Sequence, residues 1–272
     1  MILFLISCHP VEGFEQQESA IVGAHGEILL QVPAGIGWIG STDSSAPKDE
    51  QPAFPFQTSG FYLMETEVTN QQYSEFLNSN RYSAEDARPL IALRGDSLRP
   101  SELAYTGKRF RSTFGYEHHP VSAVSFQGAS AYCEWSGMRL PTEFEWELAA
   151  RSGQKETRYP FPGEPDSSKA QYGQRRSSRG KSPTVDVRAF PPNEWGFYAM
   201  AGNVAEWTSS RYAIYEGAAL VYIDDERRRF TIRGGDWWSA AEEIRVQSRW
   251  NVEARMRGFF EGGLGFRCLL SS

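Results

Sequence analysis

The first apolar segments of the chain are short and are separated by glycine and proline. Residues 28–33 (Ile-Leu-Leu-Gln-Val-Pro) predict a strand, and a Gly-rich turn follows at residues 35–37. The apolar run at residues 61–64 predicts another strand. Runs this short, bounded by turn residues, are more typical of strands than of helices.

Three helices are predicted, each opened by a residue whose side-chain oxygen can cap it. The capping residues are Thr69, Ser125 and Thr142. Gln72 and Glu145 stand three residues after the first and third of these, as a capping box requires. The first helix has an apolar stripe at Tyr73, Phe76 and Leu77. Gly137 can end the second helix.

Two long stretches lack any periodicity. Residues 78–119 and 152–192 are rich in Pro, Ser, Gly or Arg and are predicted to be loops or insertions. Beyond Trp195 come short aromatic segments separated by glycines. Few helices, many short strands and long connections predict an α+β domain.

Composition narrows the class of function. A chain of 272 residues fits one large domain or two small ones. The net charge of −6 and the pI near 5.4 argue against a general nucleic-acid binder, which would carry a basic footprint. We interpret the Arg-rich stretches at residues 175–179 and 227–229 as solvated loops.

The three cysteines cannot form a multi-disulfide framework. Cys133 lies in an apolar helical pattern and predicts a buried thiol, and Cys268 stands at a probable strand end. Cys8 ends the sequence Leu-Ile-Ser-Cys, which resembles a bacterial lipobox, in which the cysteine becomes the lipidated first residue. The start carries no positive charge and its apolar run is short, so a chance apolar start is the alternative.

These features predict three parts. They are a lipoprotein signal-like segment at residues 1–8, a polar tether at 9–27 and a single domain at 28–272. Nothing after residue 8 is long and apolar enough to span a membrane. We therefore expect a monomer held at the cell surface or outer membrane through a lipid anchor only.

A series of ordered motifs resembles the formylglycine-generating enzyme (sulfatase-modifying factor) family. The most specific is Arg-Leu-Pro-Thr-Glu-Phe-Glu-Trp-Glu at residues 139–147. The others stand at residues 32–35, 40–41, 67–73, 119–121, 124–126, 131–135, 191–193, 196–198, 202–207, 233–235 and 265–267. The match covers about residues 30–268, with an extra stretch near 85–115. The resemblance implies one α+β domain of the C-type lectin fold, with few helices, short strands and long loops.

Most of the matching residues have a structural explanation. Four charged residues recur at helical i+4 spacing and could pair on one face: Arg139, Glu143, Glu147 and Arg151. Three tryptophans are interpreted as core residues: Trp135, Trp146 and Trp207. Residues of this kind define a fold rather than a chemistry.

Catalysis in the family depends on two cysteines that follow the Gly-Gly motif and bind copper. Soft thiolates suit copper(I), but the matching positions here hold Ser239 and Ile244. Related sulfoxide synthases use a histidine-bound iron. The histidines of this chain, which are His9, His25, His118 and His119, do not offer three converging ligands. No nucleophile elbow, phosphate loop or zinc spacing appears, so we predict no enzyme and no cofactor.

Structural calcium sites of the family also look weakened. Glu206 is present, but Ala199 stands where one site has an acidic or amide side chain. Gln171 aligns approximately with an asparagine of the second site. Calcium needs several oxygen ligands, so no bound metal is predicted.

The carboxy-terminal segment, residues 233–267, keeps the residues that form the framework of the family. The residues between these framework positions differ from the family pattern. The framework positions are Arg233, Gly234, Gly235, Trp237, Arg245, Val246, Arg249 and residues 265–267. The residues between them are Trp238, Ser239, Ala240, Glu242, Glu243, Trp250, Asn251, Val252, Glu253, Arg255, Met256, Phe259, Phe260 and Glu261. They show no strand alternation or helical stripe. Aromatic anchors mixed with carboxylates predict a ligand-binding surface. The alternative is that Trp250, Phe259 and Phe260 fill the core.

This arrangement resembles the variable proteins of diversity-generating retroelements. In that group a fixed C-type lectin scaffold displays a carboxy-terminal segment whose chosen codons are mutagenised. Such proteins bind ligands and perform no chemistry. The resemblance implies a surface-displayed lipoprotein that binds an unknown protein or other surface ligand. The alternatives are an enzyme of the same family with an unrecognised site and a fixed structural component of an outer-membrane assembly.

Overall fold

The computed structural model describes residues 20–94, 101–175, 182–216, 219–222, 228–254, 256, 258–259 and 262–272. Its helices are α1 (Asn70–Ser79), α2 (Ala84–Ala87), α3 (Phe126–Trp135) and α4 (Glu143–Ala150). Its strands are β1 (Ala20–Val22), β2 (Ile28–Val32), β3 (Gly35–Ile39), β4 (Phe54–Thr58), β5 (Phe61–Met64), β6 (Leu103–Tyr105), β7 (Phe110–Ser112), β8 (Ala205–Arg211), β9 (Ala213–Glu216), β10 (Ala219–Tyr222), β11 (Arg229–Arg233), β12 (Arg249–Glu253), β13 (Gly258–Phe259), β14 (Gly262–Gly265) and β15 (Leu269–Ser271). Short 3-10 turns lie at Lys48–Glu50 and Ala241–Ile244. Few helices and many short strands confirm the predicted α+β class.

Within the described ranges, the strands form two larger sheets and three hairpins. The first sheet has the order β1-β2-β5-β15 and is antiparallel throughout, so it holds both the first and the last strand. The second has the order β12-β11-β8-β14-β13, in which β8 and β14 run parallel. The hairpins are β3–β4, β6–β7 and β9–β10. The carboxy-terminal segment thus supplies both edges of the second sheet.

The three predicted helix starts are confirmed. The Thr69 hydroxyl accepts a hydrogen bond from the Gln72 amide at 3.2 Å, and the Gln72 side chain accepts one from the Thr69 amide at 2.8 Å. Ser125 caps α3 by accepting from the Gly128 amide at 3.0 Å. Thr142 opens α4 with a second capping box. Caps of this kind satisfy amides that have no partner within the helix, so local sequence is enough to predict them.

Helices α1 and α3 meet through aromatic rings in the largest apolar cluster. The rings of Tyr73 and Phe76 lie 5.9 and 5.7 Å from the ring of Tyr132. Phe266 lies 5.4 Å from Tyr132 on the side of the second sheet. Such edge and offset contacts are the arrangements that aromatic rings prefer. Within the part of the chain that the structure describes, no helix has the length and apolarity needed to cross a bilayer.

The predicted core tryptophans do not all lie equally deep. Trp146 and Trp207 are fully buried, which confirms their predicted role. Trp135 is only partly buried and packs at the edge of the largest cluster. Its ring stacks on that of His25 at 3.5 Å. Trp135 therefore covers the core rather than filling it.

The domain begins before residue 28, where the sequence placed its start. Strand β1 pairs with β2, with Ala20 opposite Leu30. The buried carboxylate of Glu27 accepts a hydrogen bond from the Tyr132 hydroxyl at 3.1 Å. Residues 20–27 are therefore part of the domain, and the predicted tether is wrong over that range. Their polar composition hid this, because the partner of Glu27 stands 105 positions away.

The predicted loop at residues 78–119 contains structure of its own. It holds α2 and the hairpin β6–β7. Leu90, Leu103 and Phe110 are at most 5 % exposed and join the largest apolar cluster. Asn78 fixes the hairpin through both atoms of its amide, with hydrogen bonds of 2.8 and 3.0 Å to the Phe110 backbone. The loop prediction was wrong here because these apolar residues occur in short groups without a period.

Cys133 and Cys268 form a disulfide, with their Cα atoms 5.5 Å apart. Cys133 lies on α3, and Cys268 lies directly before β15. Both are fully buried. The burial predicted for Cys133 is confirmed, but the predicted free thiol is wrong. The two residues are separated by 135 positions, so no local spacing could indicate that they pair.

Candidate functional site

Two glycines open the carboxy-terminal segment after β11. Gly234 and Gly235 have φ angles of +87° and +64°, which glycine adopts readily. A methyl group on Gly234 would lie 3.2 Å from the Trp146 ring, and one on Gly235 would lie 2.8 Å from the Glu243 carbonyl oxygen. Both positions need glycine, and together they turn the chain away from the sheet.

Three framework arginines are buried, and each binds a buried glutamate. The pairs are Arg233–Glu147, Arg249–Glu143 and Arg267–Glu206. Their side chains are at most 1 % exposed. The nitrogen–oxygen distances of the second and third pairs are 2.7 and 2.8 Å. A buried ion left without its partner costs about 3–5 kcal/mol. We call these three pairs the ion-pair frame, because they fix where the carboxy-terminal segment crosses the core.

Glu147 binds two arginines at once. Its carboxylate contacts Arg233 and lies 2.6 Å from Nη2 of Arg151. Burial alone would raise the pKa of Glu147, but the two guanidinium groups hold that pKa below its ordinary value. The predicted pairing of Glu147 with Arg151 is confirmed. Arg139 instead binds Glu145 at 2.7 Å, so the four predicted residues do not share one face.

Asp236 closes a tight turn after the glycines. Its Oδ1 accepts hydrogen bonds from the amides of Trp238 and Ser239, both at 3.0 Å. Burial raises the pKa of Asp236 to about 7. The turn directs Trp237 into the core, where it is 1 % exposed, and leaves Trp238 36 % exposed. Ser239 is fully buried and stabilises this turn, which removes it from the predicted set of ligand contacts.

Ser239 and Ile244 lie next to each other beneath Gly235. A methyl group on Gly235 would lie 3.2 Å from Ser239 Oγ and 2.9 Å from Ile244 Cγ2. Both side chains are fully buried. The two positions where the family resemblance expects copper-binding cysteines are therefore neighbours in space. Neither side chain carries sulfur.

Four of the predicted binding residues lie on β12, an edge strand of the second sheet. Val252 is 8 % exposed and belongs to the largest apolar cluster, against which Trp250 also packs. These two share one face of the strand, so their predicted position in a loop is wrong. Trp250 is partly buried and covers the core at its edge, as Trp135 does. Asn251 and Glu253 lie on the other face and are partly exposed.

The remaining predicted residues differ in exposure. Ala240 is exposed, Met256 is 48 % exposed, and 65 % of the Glu242 side chain is exposed. Glu243 is partly buried and accepts a hydrogen bond from the Ala240 amide at 2.7 Å. Phe259 lies on β13. Arg255, Phe260, Glu261 and Cys8 fall outside the described residues. We call Trp238, Ala240, Glu242 and Met256 the exposed C-terminal positions.

A polar groove adjoins Glu242. Its volume is about 340 Å³, and its walls come from residues 40–43, 45–47, 155–158, 242, 245 and 247. Arg158 Nη2 lies 2.5 Å from Glu242 Oε1, and Arg245 Nε lies 3.1 Å from Glu242 Oε2. Arg245 also binds the buried Glu50 at 2.7 Å. We call this cavity the Glu242 groove.

Sequence reasoning missed this groove although it named Glu242. Arg158 stands 84 positions from Glu242, and Glu50 stands 195 positions from Arg245. Residue 158 falls in a stretch that was predicted to be loop. No spacing along the chain could have brought these residues together.

The positions expected for calcium have other partners. The Glu206 carboxylate is bound by Arg267 and accepts a hydrogen bond from Trp146 Nε1 at 3.0 Å. Ala199 offers no side-chain oxygen, and the Gln171 side chain donates to the Pro183 carbonyl. Among the residues that the structure describes, no three His, Cys, Asp or Glu side chains are grouped as a metal site requires.

Comparison with known proteins adds the family context. A family model described as sulfatase-modifying factor enzyme 1-like domain matches residues 15–272. The inactive C-alpha-formylglycine-generating enzyme 2 of Bos taurus is 30 % identical over an alignment 280 positions long, gaps included, which covers 88 % of this chain and 87 % of that protein. Proteins named as formylglycine-generating enzymes match as well.

Another relative is much longer than this chain. The serine/threonine-protein kinase pkn1 of Chlamydia pneumoniae is 33 % identical over 233 residues, which cover 81 % of this chain. The match takes up 34 % of that protein, so the chain corresponds to about a third of its length.

A solved structure establishes the fold. Treponema denticola variable protein 1 superposes with a TM-score of 0.67 at 20 % identity, covering 95 % of this chain and 100 % of that one. Together with the family match, this confirms the predicted C-type lectin fold of the formylglycine-generating-enzyme type.

Proposed function

The chain belongs to the sulfatase-modifying factor enzyme 1-like domain family, and we propose that it is a non-catalytic member that binds a ligand. The ligand would contact the exposed C-terminal positions, with Trp238 as the apolar anchor. The partly exposed Glu243, Asn251 and Glu253 would adjust the polarity of the contact.

The proposal rests on the contrast between buried and exposed side chains within residues 233–267. The ion-pair frame lies in the core, where it is at most 1 % exposed. Trp238 and Met256 instead leave 36 % and 48 % of their surfaces in water. Exposed aromatic and methionine side chains are enriched in binding interfaces. Among the described residues, no hydrogen bond or ion pair joins the frame to the exposed C-terminal positions, so we expect these positions to change without loss of the fold.

The absence of catalysis is supported by the surroundings of Gly235. Ser239 and Ile244 both lie beneath Gly235, and both side chains are fully buried. A hydroxyl and an alkyl group cannot replace two soft thiolates as copper(I) ligands. Cys133 and Cys268 are bonded to each other, so neither offers a thiolate elsewhere.

A position outside the cytoplasm is part of the proposal. Disulfides such as Cys133–Cys268 persist in oxidising compartments and are rare in the reducing cytosol of most organisms. The lipobox-like sequence ending at Cys8 points the same way. We therefore propose a lipid-anchored protein displayed at the bacterial surface.

We also propose that a retroelement diversifies this face, as in the variable proteins that the carboxy-terminal segment resembles, and the neighbouring DNA tests this directly. We expect a near-copy of the codons for residues 233–267 beside a reverse-transcriptase gene, differing mainly where the copy has adenine. If neither element is present, the binding face is fixed, and the retroelement part of the proposal fails.

Two adjacent tryptophans provide a matched test of binding. Trp238→Ala is expected to change the free energy of unfolding by less than about 1 kcal/mol, because the ring is partly in water. It should weaken binding of any ligand captured by the wild-type domain at least tenfold, as interface anchors do. Trp237→Ala should instead cost about 3–5 kcal/mol of stability, because its ring is 1 % exposed.

Urea unfolding and surface plasmon resonance measure the two effects. The design separates a binding residue from a core residue at neighbouring positions. Unchanged ligand affinity in Trp238→Ala, in a protein of normal stability, would contradict the proposed face.

A further inference from the structure

The Glu242 groove holds one carboxylate between two arginines. Arg158 contacts Oε1 of Glu242 at 2.5 Å, and Arg245 contacts Oε2 at 3.1 Å. Each oxygen therefore has its own guanidinium partner. Arg245 reaches Glu242 through Nε alone, since its two other nitrogens bind Glu50. Guanidinium groups are the side chains that most often bind carboxylate, sulfate and phosphate groups. The groove beside it has a volume of about 340 Å³, which is room for a ligand group.

Arg245 is held in place without help from the Glu242 side chain, and Arg158 is held at its backbone. Arg245 is 12 % exposed and binds the buried Glu50 through two nitrogens, at 2.7 and 3.1 Å. The backbone of Arg158 is fixed because its carbonyl accepts a hydrogen bond from the Val246 amide at 3.0 Å. The Arg245 guanidinium is thus fixed in advance and loses little conformational freedom when a ligand arrives.

The Glu242 carboxylate, in contrast, is largely exposed. The Arg158 and Glu242 side chains are 52 % and 65 % exposed. Exposed ion pairs contribute only about 0.2–1 kcal/mol. An external anion can therefore compete for the same two guanidinium groups.

We propose that the Glu242 groove is an oxyanion site occupied by the chain's own carboxylate, and that residue 242 decides whether a ligand oxyanion can enter. The inference rests on the proposed function, because residue 242 is one of the exposed C-terminal positions. Its side chain would determine whether the face accepts a negatively charged ligand group. With Glu242 in place, the groove disfavours a carboxylate, sulfate or phosphate group. With a short neutral residue there, Arg158 and Arg245 accept such a group.

Other charges around the groove limit the strength of this effect. Asp43 and Glu156 lie on its walls, together with Lys155. The Glu156 carboxylate accepts a hydrogen bond from the Thr42 hydroxyl at 3.3 Å. The Lys155 ammonium lies 4.0 Å from the centre of the Trp38 ring. Glu50 also counts, because its carboxylate pairs with Arg245. With Glu242 removed, the charges of Asp43, Glu156, Glu50, Lys155 and the two arginines sum to zero, against −1 with Glu242 present, so the loss of Glu242 removes a net repulsion of anions.

Titration with inorganic sulfate tests the proposal. The side-chain Nε–H resonances of Arg158 and Arg245 would be followed by NMR in wild type and in Glu242→Ala, with chloride holding the ionic strength constant. Loss of the exposed pair and of one like charge should lower the sulfate dissociation constant by about three- to tenfold. Acetate, titrated in parallel, represents the carboxylate of a peptide ligand. It should also bind Glu242→Ala more tightly than wild type, but with a weaker affinity than sulfate in both proteins.

Two controls make the result specific. Glu216→Ala removes an equal charge from an exposed residue on β9 and should leave the dissociation constant as in wild type. Adding Arg158→Ala to Glu242→Ala should abolish the gain. Equal sulfate affinity in wild type and Glu242→Ala, or a gain that survives loss of Arg158, overturns the proposal. The titration needs no natural ligand, so its failure is distinguishable from failure of the binding face.

Discussion

Replacing Glu147 by alanine is expected to lower the free energy of unfolding by about 3–5 kcal/mol. The substitution leaves the guanidinium groups of Arg151 and Arg233 without their shared carboxylate, and both are fully buried. Buried charges without a partner carry the full desolvation cost. Since small domains are stable by about 5–15 kcal/mol, a large part of the stability should be lost. Urea unfolding monitored by tryptophan fluorescence would measure the change.

The matched control removes a glutamate from an exposed pair. Glu85→Ala breaks the contact with Arg88, in which the side chains are 78 % and 60 % exposed. It should change stability by less than about 1 kcal/mol. If both substitutions had the same small effect, the ion-pair frame would not be the element that holds the carboxy-terminal segment in place.

Removing the disulfide should have an effect of similar size. Replacing both Cys133 and Cys268 by alanine is expected to cost about 3–5 kcal/mol, because the bond closes a long loop and restricts the unfolded chain. The loop spans 135 positions, near the upper end of this effect. The measurement is the shift of the urea midpoint under non-reducing conditions.

Cys8→Ala serves as the control and should leave the midpoint unchanged. The same variant allows the free thiols to be counted, because it lacks the one cysteine outside the Cys133–Cys268 disulfide. Thiol titration of unfolded, unreduced Cys8→Ala protein should find no reactive thiol. Two reactive thiols per chain would show that Cys133 and Cys268 are not bonded, and would remove the main support for an oxidising compartment.

The sequence predicts those parts of this fold that depend on neighbours along the chain. The capping boxes at Thr69 and Thr142 are such features, because donor and acceptor stand three residues apart. The i+4 pair of Glu147 and Arg151 is another. Family motifs extended the prediction to the whole domain, since they preserve the order of segments that meet in space.

Contacts between distant segments were not predictable in this way. Arg249 binds Glu143, which stands 106 positions away along the chain. Trp250 packs against a core that other elements build. A half-buried strand alternates apolar and polar residues, but β12 hides this pattern. Arg249 and Val252 lie on opposite faces and are both buried, because Arg249 belongs to the ion-pair frame. Prediction of a strand from apolar periodicity requires one face to be exposed to solvent, and β12 does not meet that requirement along its whole length.

Of the candidate site, Trp238 and Glu242 were predicted and are exposed. Ser239 and Val252 were predicted and are buried. The charge and size of a side chain do not predict whether it is exposed or buried here. At Trp238 and Ser239, the turn at Asp236 determines which side chain faces outward. A hydrogen-bonded turn of that kind depends on the two glycines before it and on the packing of Trp237.

Under the proposed lipid anchor at Cys8, the early start of the domain would limit how far the domain can extend from a membrane. If Cys8 carries a lipid, only the residues between it and β1 separate the bilayer from the folded body. Each residue of a fully stretched chain adds at most about 3.3–3.6 Å, so the twelve steps from position 8 to Ala20 span about 40 Å or less. A linker ending at residue 27 would have allowed roughly two-thirds more. The protein would therefore sample only targets close to its own membrane, which favours partners that come into direct contact with the cell.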